Sequence, residues 1–339
     1  ADAGITGVLL SLLAFGMWGM GYNLSAVSYL SLASEIDPDG RGKTIATMFF
    51  LMIIGIIFTA IVIGNIVDPY TPEALYRAFW LAGGMALVLG LLGLVKLEKP
   101  EAQAVAPAAE RHTWGQMATA VFGNKQARIF FWYLLLLLAA ILGQDVLLEP
   151  FAGEAFGLRP AQTTRITSIW GTCVLATLLI ANFLQARTSK RTVVRLGNWG
   201  ALVGFVIIAV SGLLASSGVF YAGVVLLGLG TGLSTVSNLS LMLDMTTPEN
   251  VGLFVGAWGV ANALSRLIGQ VLSGVVKDTM TLAFGDAVAA YVTVFTVEAV
   301  FLAVALLMFR SIDVAAFHKG VAKAQSLTDT VALMHEAQS

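Results

Sequence analysis

The sequence dictates a polytopic all-α membrane protein, on three grounds. Hydrophobic residues make up 58% of the chain and charged residues 12%, about half the charged share of a soluble domain. The apolar residues fall into separate runs of about 20 or more, the length at which a helix crosses ~30 Å of hydrocarbon. The breaks between those runs are mostly short and carry turn chemistry, so the runs are successive spans of a helical bundle.

Nine spans are expected in order. The first, 5–33, begins directly after Ala1-Asp2-Ala3-Gly4, and no cleavable signal peptide is expected. Asp37-Pro38-Asp39-Gly40 separates it from the second, 44–67, and Asp68-Pro69-Tyr70-Thr71-Pro72 separates that from the third, 76–96. A longer polar stretch with Pro100, Pro107 and an alanine-rich run reads as an inter-domain linker. Spans at 128–147, 162–186, 195–215 and 218–243 follow. Thr246-Thr247-Pro248-Glu249-Asn250 then leads to the last two, 251–276 and 286–310. Beyond them Phe317, Val321, Ala324, Leu327, Val331 and Met334 recur near helical spacing, which predicts an amphipathic helix against the membrane or a partner.

Charge sets the orientation. Of the 19 lysines and arginines, fourteen fall in one alternate set of connections and the tail, four in the opposite set, and Arg266 within a span. The positive-inside rule puts the richer set and the C-terminus in the cytoplasm. A net charge of −1 argues against a nucleic-acid partner. The single cysteine, Cys173, lies in an apolar run and is expected to be a small packing residue.

The chain repeats itself. Residues 19–32 and 228–241 both read GxGxxLSxVSxLSL at a constant offset of 209, and each copy is followed by an acidic residue and a proline-containing turn. Small residues at helical spacing are common in membrane helices, but that does not explain the shared register and exit turn. Three spans separate the linker from the second copy, whereas only the chain start precedes the first. The repeat therefore predicts a parallel duplication of six-helix halves, with nine of an expected twelve spans present. The boundaries are 1–98 for three spans of a first half, 99–125 for a cytoplasmic linker, 126–310 for a second half and 311–339 for the tail.

Ionisable and amide side chains within spans are costly and mark candidate sites. Arg266 lies in the eighth span with Asn262 one turn before it and Gln270 one turn after, on one face; Glu298 sits near the middle of the ninth. Arg266 and Glu298 are either a pair lining a cavity or a structural bridge between adjacent helices, or else Arg266 snorkels outward. Gln144, Asp145 and Glu149 close the fourth span, as a site or as a hydrated helix end. Asn238, Trp258 and Trp170 are further binding candidates, the tryptophans having ordinary helix packing as the alternative. Glu35, Asp37, Arg41 and Asp244 stand at equivalent turns, where gating and helix-end capping are both open. The three histidines lie in polar segments, and no HExxH, Walker loop, nucleophile elbow or Cys/His metal set occurs. Neither enzymatic chemistry nor a metal site is expected.

Two long motifs carry a family resemblance. The run QDVLLEPFAGEAFGL from Gln144 to Leu158, followed by Gln162-Thr163-Thr164, resembles a signature of the PucC/LhaA family. So does DMTTPENVGLFVGAWGVANALSR from Asp244 to Arg266, and the segment Glu35 to Lys43, leading into Ile53–Ile57, resembles the matching turn of the first half. The resemblance implies a major-facilitator-type bundle in a thylakoid or bacterial photosynthetic membrane. It further implies a factor that assembles light-harvesting or photosystem complexes and handles chlorophyll or bacteriochlorophyll, with light-harvesting or photosystem subunits and the lipid bilayer as partners. Three functions stay open: pigment binding or delivery, placed first; secondary transport of a small amphipathic solute; and a structural subunit of a photosynthetic supercomplex.

Overall fold

The structure, a computed structural model, describes residues 4–36, 41–95, 113–246 and 251–322. The regular structure of these residues is entirely helical. The long helices are α1 (Ile5–Ile36), α2 (Arg41–Ile66), α3 (Pro72–Leu94), α5 (Lys125–Gly143), α7 (Pro160–Arg187), α8 (Lys190–Leu213), α9 (Ser217–Asp244), α10 (Val251–Phe284) and α11 (Ala287–Phe309). Each coincides with one expected span. Eight are long and apolar enough to cross a membrane, and the Phe50–Ile66 part of α2 is a shorter apolar helix. The protein is a multi-pass integral membrane protein.

Two short helices were not anticipated. α4 (Trp114–Gly123) occupies the end of the expected linker, and α6 (Leu148–Phe156) follows a 3-10 turn over Gln144–Val146. The Thr113 hydroxyl accepts from the Gln116 amide while the Gln116 side chain accepts from Thr113 N, a capping box that starts α4. α6 ends at Gly157, whose φ of 64° is left-handed backbone that glycine adopts without a Cβ clash. The linker residues 99–112 and the tail from 323 onward lie outside the described residues, as does Asp37.

Local chemistry sets the helix starts. Thr71 caps α3 with Pro72 at its first position, Asn124 accepts from the amides of Gln126 and Ala127 at α5, and Asp286 accepts from Val288 N at α11. Each satisfies amides that have no partner inside the helix, a stringent need where lipid offers none.

The chain divides into two compact units, Ala1–Gly55 and Ile56–Ser339. The first contains α1 and the start of α2. In the second, α7, α9, α8, α11, α5 and α10 pack in that neighbour order. Glycines set the close approaches: a Cβ on Gly230 would lie 2.2 Å from Ala201 N, and one on Gly197 2.5 Å from Ser234 N, so α8 and α9 touch backbone to backbone. Gly228 and Gly232 lie in the same way against Trp170, Val174 and Thr177 of α7. The repeat motif in α9 is thus a packing stripe for two neighbours.

The segment after α11 folds back onto its own bundle. Residues 314–322 are helical; Ile312 and Phe317 are fully buried; and the Phe317 ring meets Phe254 edge-on at 5.1 Å. Asn124 Nδ2 donates to the Phe317 carbonyl at 3.2 Å. This part of the expected amphipathic tail uses its apolar face internally.

Candidate functional site

Three separate polar groupings emerge inside the second unit. The first joins α5, α8 and α9. Asn198 Nδ2 donates to Tyr133 Oη at 2.9 Å, Ser234 Oγ donates to Asn198 Oδ1 at 2.7 Å, and Asn238 Nδ2 donates to Ser234 Oγ at 2.9 Å. The Tyr133 hydroxyl in turn donates to Asn238 Oδ1. All four side chains are buried and all are satisfied, which makes the network a structural clasp. Asn238, expected as a binding residue, is therefore consumed by packing.

The second grouping ties α6 to its neighbours. The Thr167 hydroxyl of α7 donates to Glu149 Oε1, and the Tyr291 hydroxyl of α11 donates to Glu154 at 3.3 Å. Burial raises the Glu149 carboxyl above the usual carboxylate range, and the Thr167 hydrogen bond offsets part of that rise.

The third grouping gathers most of the expected site residues where α5 ends against α10 and α11. Arg266 is the sixteenth of the 34 residues of α10, close to the middle of the span. Asn262 and Arg266 are exposed and Gln270 half-buried, whereas Ser265, Gly269 and Ser273 on the opposite side are buried. α10 therefore turns one polar stripe outward and packs the other face on α5, where a Cβ on Gly269 would stand 2.3 Å from the Ala139 carbonyl oxygen. Asp145 is exposed in the turn after α5, where the Arg266 guanidinium acts on it through its charge. Gln144 is buried, and its Nε2 donates to Asp145 Oδ1 at 2.8 Å.

Glu298 lies behind this surface, 2% exposed. Among the described residues it forms no ion pair with Arg266, against both paired readings of the sequence and in keeping with the outward one. Its Oε1 accepts from Ser273 Oγ at 3.0 Å, and Gly143 makes room for it, since a Cβ there would lie 2.6 Å from that oxygen. Arg266 instead faces outward because its α10 neighbours on the inner side are small residues in helix contact, with no room for a guanidinium.

The remaining candidates are dispersed. Trp258, a core residue, is 1% exposed and packs edge-on against Phe130 at 4.8 Å. Trp170 is half-buried on α7, its backbone against Gly228. Asp244 pairs with Lys190 at 2.9 Å, and its carbonyl lies 3.1 Å from His318 Nε2, so it ties α9 to α8 and to the terminal segment. Glu35 and Arg41 lie on α1 and α2, their side chains outside what the structure describes. Sequence reasoning passed over Tyr133, Asn198, Ser234, Ser273 and Gly143. Asn198, a lone amide in an apolar run, was a legible signal; the small residues were not, because only a neighbour's proximity gives them a role.

Among the described residues no group of three His, Cys, Asp or Glu side chains could hold a metal ion. The cavity beside Glu298, of about 10 Å³, admits one water and no macrocycle.

Comparison with known proteins gives one consistent set of relatives. The family model described as PUCC protein matches residues 1–317. Protein PucC of Rhodobacter capsulatus is 30% identical over 320 residues, covering 88% of this chain and 67% of that protein. Protein PucC of Rhodovulum sulfidophilum is 27% identical, covering 81% and 62%. The "bacteriochlorophyll synthase 44.5 kDa chain" of Rhodobacter capsulatus is 29% identical, covering 89% and 71%. The chain thus spans about two thirds of the length of these relatives. The nucleoside transporter NupG superposes with a TM-score of 0.63 at 19% identity, covering 77% of this chain and 65% of that one. That likeness is one of fold, a major-facilitator-type bundle.

Proposed function

This chain belongs to the PucC protein family, and from that premise we propose that it binds or delivers chlorophyll or bacteriochlorophyll during assembly of light-harvesting or photosystem complexes. The observation that carries the proposal is the outward polar stripe of α10. An arginine at the middle of a span costs at least ~2.5–3.5 kcal/mol against lipid, so Asn262, Arg266 and Gln270 must face a cavity, a cargo or another protein surface. A tetrapyrrole presents a broad apolar ring with polar carbonyl substituents at its rim. Arg266 and the two amides supply donors for those carbonyls along ~12 Å of helix.

The role is binding and hand-over rather than catalysis: the stripe contains no nucleophile–base pair. One relative carries a synthase chain name, which under this reading denotes association with pigment metabolism. The protein resides in a photosynthetic membrane with its lysine- and arginine-rich connections, and its C-terminus, in the cytoplasm. Its partners are the pigment-binding subunits that receive the cargo.

The test is to express the chain in a bacteriochlorophyll-producing host, purify it gently, and measure pigment per protein for the parent and for Arg266→Ala and Gln270→Leu. Stoichiometric pigment in the parent and its loss in Arg266→Ala is the expected result. A folded, colourless parent would sink the proposal and favour transport or scaffolding.

A further inference from the structure

Glu298 is the most deeply buried carboxyl described in the second unit, and only half of it is satisfied. Ser273 Oγ donates to Oε1 at 3.0 Å, while Oε2 has no hydrogen-bond partner. An ionised carboxylate in mid-span with one neutral donor lacks the compensation that buried charges require. Two further features indicate a built site. Gly143 leaves space that a Cβ would fill at 2.6 Å from Oε1 and 2.8 Å from Ser273 Oγ. The adjoining cavity, lined by Gly269, Ser273, Val294, Val297, Glu298 and Phe301, has room for a single water.

The surroundings also supply an outlet. α5 stops at Gly143, the residue touching the carboxyl, and the next two residues lead to the surface. Gln144 is buried with Oε1 unpartnered, and Asp145 beyond it is exposed. We propose that Glu298 is a proton-binding site, neutral while α5, α10 and α11 are closed together and exchanging its proton with water beside Asp145.

The charged groups around it are few. Asp145 is the one whose field reaches Glu298, and Arg266 of α10 acts on Asp145 in turn. Lys277 of α10 and Glu154 of α6 converge on Tyr291, two turns before Glu298 on α11. The basic residues of α8, Lys190, Arg191 and Arg195, are confined to its first two turns. Among the described residues no cation forms an ion pair with the carboxylate. On release the proton leaves Oε2 for water, and the carboxylate left behind draws water into the seam that Gly143 and Gly269 hold shut. Protonation is thereby coupled to closure of α5 on α10.

The experiment is an infrared difference spectrum between neutral and alkaline pH, on the full chain in lipid vesicles. The parent should show loss of a protonated-carboxyl carbonyl band as pH rises, and Glu298→Gln should lack that band. Glu298→Gln preserves shape and the Ser273 hydrogen bond, and a thermal melt checks its folding. Asp145→Asn, an exposed change, serves as the second variant: removing the neighbouring negative charge should move the band's midpoint to lower pH. Identical difference spectra in parent and Glu298→Gln would overturn the proton site. An unmoved midpoint in Asp145→Asn would overturn the exchange route.

Discussion

Gly269 rests against the carbonyl oxygen of Ala139 so closely that a methyl group added to it would lie 2.3 Å from that oxygen. Backbone atoms on both sides leave no side chain to yield. Gly269→Ala should therefore wedge α10 from α5 and cost about 1–3 kcal/mol, the usual range for overpacking. Thermal unfolding in detergent, followed by tryptophan fluorescence, measures it. Gly274, where an added Cβ meets nothing, is the control, and Gly274→Ala should leave the melting temperature unchanged or raise it.

The Tyr133–Asn198–Ser234–Asn238 clasp predicts non-additivity. Asn198→Ala strips partners from Tyr133 and Ser234 together and should destabilise by about 1–3 kcal/mol. Once Asn198 is gone, Tyr133→Phe should cost less than it does in the parent, since one of the two hydrogen bonds of that hydroxyl is already lost and only the one to Asn238 remains. A double-mutant cycle on thermal stability that returns simple additivity would contradict the clasp.

Glu149 predicts a pH-dependent effect with a defined sign. Its carboxyl is held above the ordinary value by burial, so the native state favours the protonated form. Below the unfolded-state value the group costs nothing. As pH rises through that value toward the folded one, ionisation progressively penalises the native state. Glu149→Gln, which keeps an oxygen for the Thr167 hydroxyl, should match the parent in acid and exceed it in stability at neutral pH. A stability difference that is constant across a pH series of melts would refute this.

Phe317 predicts the strength of the terminal strap. It is 0% exposed and seated on Phe254, and Phe317→Ala should remove about 3–5 kcal/mol of local packing. Residues 312–322 should then detach, and trypsin should cut after Lys319 much faster than in the parent. By contrast Lys190→Ala removes a partly exposed ion pair with Asp244 and should cost less than about 1 kcal/mol.

Periodicity and length made the nine long helices legible, since a hydrocarbon slab imposes one segment length on every span. The ends were less so. α10 runs to Phe284, eight residues past the expected stop, since charged side chains such as Lys277 and Asp278 lie along the helix surface without ending it. α4 and α6 escaped because each is shorter than a span and carries a composition shared with loops. Within the site, the spacing of Asn262, Arg266 and Gln270 located one polar face from sequence alone. Whether a polar residue turned outward was not legible, because burial depends on which neighbour has small residues opposite. Trp258 and Asn238 illustrate the point: both looked like binding residues, and both are enclosed by partners that come from other helices.

Where Gly230 meets Gly200 and Ala201, no layer of side chains separates α8 from α9. Sliding of one helix past another proceeds by small rotamer adjustments in such a layer, and here there is none to adjust. The pair therefore behaves mechanically as a single beam, along which force passes without slippage. Any rearrangement of this bundle has to be taken up at its other joints, and the seam of α5 with α10, where Glu298 is lodged, is the joint that carries a chemical trigger.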